Sequence, residues 1–158
     1  MIHIANALQT TVDAALPRLR ALTDRQTSRD RGAGKWTVKE ILGHLIDSAA
    51  NNHQRIIRAG GSDPLVFPGY DQDAWVSAHG YRARSWRELV DTWAAYNAQV
   101  AQVIASTPPD RRAVRCRIGD NEPVTLEWLL EDYLRHMEHH LGQILPAKKD
   151  DRGTTSQA

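Results

Sequence analysis

Four long stretches of this chain repeat apolar residues at the spacing of a helix, and capping residues, glycines or prolines bound them. In the first, running from Ile2 to about Leu22, Ile4, Leu8, Val12, Leu16 and Leu19 share a face, with Pro17 placed to kink or break the segment. "TVKE" (Thr37 to Glu40) is a capping box that opens the second, in which Ile41, Leu42, Leu45, Ile46 and Ala49 recur until Gly60 and Gly61 stop it. Another box, "SWRE" (Ser85 to Glu88), starts the third, which carries Trp86, Leu89, Val90, Trp93, Tyr96, Val100 and Val103 as far as Pro108 and Pro109. The fourth extends from about Leu126 to Leu145, entered past Pro123 and Thr125 and closed by Pro146. Amphipathic rods of this kind bury their stripes against one another, so the pattern predicts an all-α helical bundle.

The connections are short on structure. "GSDPLVFPGYD" reads as a loop, "YDQDAWVSAHG" as a short extra helix, and "AVRCRIGDNEPVT" alternates enough for a small hairpin. No repeat or composition break divides the chain, which predicts a single domain over residues 1–148 and a flexible tail over 149–158. With 158 residues, 41% of them hydrophobic and 25% charged, the chain suits one globular core. A net charge of +1 gives no basic surface for nucleic acid or membrane. The single cysteine, Cys116, has no internal disulfide partner, and Arg115 and Arg117 beside it could lower its pKa. With no signal-type start and no apolar run near membrane-spanning length, the expected location is cytoplasmic.

The chemistry concentrates in "LRHMEHHLGQI", residues 134–144. At about 100° per residue, with His136 at zero, His140 lies at about +40°, Gln143 at about −20° and Asp132 at about −40°, whereas His139 falls at about −60°, away from His140. His136 and His140 therefore form a HxxxH pair, able to converge on one metal ion. A catalytic first-row metal normally takes a third protein ligand and keeps a position open. His44 is the candidate, because it sits among Ile41, Leu45, Ser48, Ala49 and Ala50 on the second helix. From it, Asp47 is about 60° and Asn51 about 20° away, so both can face the same cavity, while His53 at about 180° points elsewhere. His3 and His79 lack a helical partner and are expected in solvent. A lone inward histidine is more often a hydrogen-bonded core residue than a ligand, and HxxxH also occurs on solvated helices, so spacing alone leaves both readings open.

Three segments in order, "KWTVKEILGHLIDSAANNHQRI", "YDQDAWV" and "RHMEHHLGQI", resemble the signature segments of the DinB-like superfamily, in particular its YfiT-type metal-dependent hydrolases. The resemblance spans Lys35 to about Ile144 and implies an up-and-down four-helix bundle. It also implies one divalent metal, nickel or zinc, held by His44, His136 and His140, with no ligand role for His139. Homodimers are common in such a family. Its members include thiol S-transferases and mycothiol-dependent isomerases, so the implied function is a metal centre that activates either a low-molecular-weight thiol (a transferase) or water (a hydrolase) toward a small molecule. A non-catalytic metal-binding module with a structural or stress-response role is the alternative. Asp47, Asn51, Asp132 and Gln143 are the residues expected to orient the histidines or move a proton. Trp36, Trp86, Trp93 and Trp128 are expected to pack, and Tyr70 and Trp75, in the "YDxxxW"-like stretch, to line the pocket mouth.

Overall fold

The computed structural model describes residues 1–145, so the tail expected over 149–158 lies outside the described residues. In chain order the elements are α1 (Ile2–Arg20), α2 (Asp24–Thr27), α3 (Val38–Gly61), β1 (Leu65–Phe67), α4 (Gln72–His79), α5 (Trp86–Ser106), β2 (Arg115–Ile118), β3 (Val124–Thr125) and α6 (Leu126–Ile144). The four long helices form the predicted bundle. Both α1 and α3 pack on α5 and on α6, so the order around the bundle is α1, α5, α3, α6. Consecutive helices α1 and α3 are thus diagonal, and α3 lies against α6, far along the chain. Leu8, Leu42, Leu45, Leu89, Trp93, Leu130 and Met137 from all four helices fill the interior.

Local signals act where the sequence places them, with two differences. At the start of α3 the Thr37 hydroxyl accepts the Glu40 N–H, and the Glu40 carboxylate accepts the Thr37 N–H at 2.7 Å, which completes a capping box. At α5 only half of the box forms. Ser85 accepts the Glu88 N–H, but the Glu88 carboxylate lies 3.9 Å from the Arg84 guanidinium. Pro17 neither breaks nor ends α1, which continues through it to Arg20. It stands within the last turn of the helix, where one missing N–H disturbs little.

The predicted hairpin is β2 and β3, and β1 adds to it in parallel, giving the order β1-β2-β3. That strand lies in the stretch expected to be loop. Only Leu65, Val66 and Phe67 separate Pro64 from Pro68, too few residues to show a period of two. Strand alternation also corrects the expectation for Cys116. Arg115 and Arg117 point to the exposed face, while the thiol is fully buried and donates to the Val114 carbonyl, and burial pushes its pKa up. Trp128 is not packed inside either: it is 45% exposed, with the Arg135 guanidinium 5.4 Å from its ring centroid. No described helix is long and apolar enough to cross a membrane.

One glycine holds α3 close to the connection that follows α4. A Cβ on Gly43 would stand 2.1 Å from the buried Tyr81 ring, whose hydroxyl is itself tied down by a hydrogen bond to Asp47. The ring has no room to retreat. Gly43→Ala is therefore expected to destabilise the protein by about 2 kcal/mol, lowering Tm by about 4 to 8 °C in a thermal melt.

Candidate metal centre

α3 and α6 are neighbours in the bundle, and their histidines meet between them. His44 Nε2 lies 3.0 Å from His136 Nε2, although the residues are 92 positions apart. Ring centroids are 5.0 Å apart for His44 and His136, 5.0 Å for His44 and His140, and 4.6 Å for His136 and His140. One nitrogen from each of the three rings falls within 4.8 Å of the others. Trp36 packs 5.0 Å from the His44 ring and helps fix its plane.

The protonation pattern suits a cation. His140 Nδ1 donates to Gln143 Oε1 at 3.1 Å, which leaves the Nε2 lone pair of that ring free. His44 Nδ1 and His136 Nδ1 are buried without a partner among the described residues. If both rings carry their proton there, two lone pairs oppose each other across 3.0 Å; if either carries it on Nε2, its bare Nδ1 is buried without a donor. A divalent ion among the three nitrogens resolves the first arrangement. Burial lowers the His44 pKa to about 3 and that of His136 to about 4, helped by the neighbouring imidazoles, so near neutral pH both rings are uncharged and ready to ligate. His140 is shifted down too, mainly by burial.

The remaining predicted residues fall into two groups. Gln143 bridges the last helix's histidines, accepting from His140 and donating its amide to His139 Nε2 at 3.0 Å, so His139 is exposed and points at Gln143. Asp132 lines a cleft of about 210 Å³ together with His44 and His136, and pairs with Arg135 at 3.2 Å. Asp47 and Asn51 are engaged elsewhere. Asp47 Oδ1 accepts from the Tyr81 hydroxyl at 2.6 Å and lies 3.2 Å from His79 Nδ1, while Asn51 donates to the Asp47 backbone carbonyl at 2.9 Å. His79 is therefore no simple solvated side chain, and its ring also stacks 5.0 Å from Tyr81. His53 does turn away, packing against Tyr96.

Several lining residues escape the sequence pattern or carry less weight in it, among them Ser48, Asn52, Arg55 and Tyr70. The signal was present for Arg55, which falls about 20° from His44 on the helical wheel, a charge on a face otherwise meant for the interior. Tyr70 lines the cleft as expected, whereas Trp75 packs 5.0 Å from it and is not among the lining residues.

The sequence profile described as the DinB superfamily matches residues 7–144. The chain belongs to the DinB superfamily. A relative from Geobacillus thermodenitrificans, named "Putative metal-dependent hydrolase", is 23% identical over 144 residues, covering 90% of this chain and 81% of that protein. "Putative metal-dependent hydrolase YfiT" of Bacillus subtilis is 27% identical over 133 residues, 78% of this chain and 70% of its own length. The solved structure of YfiT, titled as a probable metal-dependent hydrolase with an unusual four-helix bundle topology, superposes with a TM-score of 0.80 at 22% identity, covering 90% of this chain and 82% of that one. A mycothiol-dependent maleylpyruvate isomerase superposes with a TM-score of 0.73 at 11% identity, over 90% of this chain and 59% of that protein. Both structures share the DinB fold with this chain.

Proposed function

We propose that this DinB-superfamily protein is a cytoplasmic metalloenzyme acting on a small molecule, with His44, His136 and His140 holding one divalent ion, nickel or zinc. The observation that carries the reading is the convergence of three uncharged imidazole nitrogens within 4.8 Å, two of the rings having a buried nitrogen with no other partner. A divalent ion held by three neutral ligands keeps its full charge and brings a bound water or thiol toward its conjugate base near neutral pH. The chain's own residues do the rest. Gln143 fixes the His140 tautomer from outside the ligand set. Asp132, half-exposed in the cleft beside His44 and His136, is placed to accept the proton released by the nucleophile and return it to solvent. Asp47 and Asn51 serve as positioning residues: the Asp47 carboxylate ties the middle of α3 to Tyr81 and so to the connection after α4, and Asn51 caps the Asp47 carbonyl within the helix. A homodimer is the assembly that goes with this reading.

The nucleophile is water or a low-molecular-weight thiol, and turnover distinguishes them. Metal-loaded protein should hydrolyse p-nitrophenyl acetate, or couple monochlorobimane to added cysteine, at least about 100-fold faster than metal-free protein. Bimane coupling without ester hydrolysis would identify a transferase, and the reverse a hydrolase. Equal rates with and without the metal would contradict the enzymatic reading and favour a metal-binding module.

A further inference from the structure

We propose that Arg55 anchors a carboxylate carried by the small molecule that reacts at the histidine centre; the last clause rests on the reading of that centre as a metal site. Arg55 is 8% exposed, yet no carboxylate among the described residues lies within 4.0 Å of its guanidinium. Its Nε has no acceptor, and its contact with Asn52 Oδ1 is long, at 3.4 Å. The Phe67 ring, 5.6 Å away, covers the group without neutralising it. Arg111 shows what a structural arginine looks like in this fold: its Nε donates to the Ala59 carbonyl at 3.1 Å and a terminal nitrogen to that of Ser62 at 2.8 Å. A guanidinium stays charged in a protein, and burying it without an anion is unfavourable, so an arginine that lines a cleft with a donor unpaired is a binding position for one.

The place of that position fits an elongated ligand. Arg55 shares the cleft with His44 and His136, and together with Tyr70 and Asp132 it also lines an adjoining cavity of about 530 Å³ that opens beside Trp128. Eleven residues of helix separate His44 from Arg55, about 16 Å along the axis, and the arginine side chain leans back toward the N-terminal end and shortens the span. A molecule with its reactive group at the histidines can therefore reach the guanidinium with its far end. The chemistry favours a carboxylate over a phosphate. One planar fork matches a carboxylate in two parallel hydrogen bonds, and Asp132 in the same cleft disfavours a dianion. Burial raises the pKa of Tyr70, which lines both cavities, so its hydroxyl adds no negative charge beside the anion.

The test uses the full-length protein as purified and hexanoate as the probe, with hexanamide and inorganic phosphate for comparison, in wild type and Arg55→Met. Calorimetric titration should show hexanoate binding wild type roughly 10-fold to 100-fold more tightly than it binds Arg55→Met, and more tightly than wild type binds hexanamide. Equal affinity of hexanoate for the two proteins, as expected if a metal ion at the histidines held the carboxylate, would overturn the proposal. So would equal binding of hexanoate and hexanamide, or phosphate binding more tightly than hexanoate. If Arg55→Met does not fold, the Arg55 Nε–H resonance of wild type decides instead, shifting with hexanoate and not with hexanamide. Metal content measured on His44→Ala reports separately on the metal reading, because its persistence there would sink that reading and leave the hexanoate comparison intact.

Discussion

Metal-free protein is expected to lose about 3 to 6 kcal/mol of stability between pH 6.5 and pH 4, enough to unfold a domain of ordinary stability. His44 and His136 are held uncharged by burial, with pKa values lowered from 6.5 to about 3 and about 4. In the unfolded chain both rings take up a proton near pH 6.5, so below that pH the unfolded state binds more protons and stability falls as pH falls. The loss continues until the folded rings themselves titrate. Asp47 works in the opposite direction, because burial raises its carboxyl pKa and a proton there favours the folded state. Urea unfolding at pH 7, 5.5 and 4.5 checks the expectation. His44→Leu, which removes one titrating ring, should flatten the slope, and a wild-type midpoint unchanged across that range would contradict it.

Returning one equivalent of zinc or nickel at neutral pH is the second large effect. A ligand that binds only the folded state at a free concentration about 1,000 times its Kd stabilises by about 4 kcal/mol, which raises Tm by about 8 to 16 °C in a protein of this size. On the proposed ligand set the ion would draw on three histidines from two helices, so no pair of them should retain the effect. His44→Ala, His136→Ala and His140→Ala are each expected to show little or no rise. His139→Ala should show nearly the full one, since His139, although it touches Gln143 and the His140 ring, lies outside the group of three converging nitrogens. A rise in His44→Ala equal to that of wild type would remove α3 from the site.

Much of this architecture is visible in the chain before any coordinates. The four helices follow from apolar spacing and from punctuation such as Thr37 with Glu40, since these act within a turn or two of the residues concerned. The His136 and His140 pair is legible for the same reason. On α3 the apolar surroundings of His44 made it the candidate partner and the family resemblance supported it, but spacing could not show that it meets His136, because that depends on which helices are neighbours, and here the adjacent pair is far apart in sequence. β1 was hidden by its length and by flanking prolines, and it exists only because β2 offers it an edge. Asp47 shows a different limit: its angle on the wheel places it near His44, but His79 at the end of α4 and Tyr81 in the connection after it engage its carboxylate. Arg55 shows the converse. The wheel puts its charge on the inner face beside His44, but only the packed cleft reveals a guanidinium enclosed without a counter-charge.

The central claim is that His44, His136 and His140 together hold one metal ion. Elemental analysis of purified wild type and of the four single histidine variants tests it most directly. The expected result is about one nickel or zinc per chain in wild type and in His139→Ala, and almost none in His44→Ala, His136→Ala or His140→Ala. The same metal content in all five proteins would contradict it.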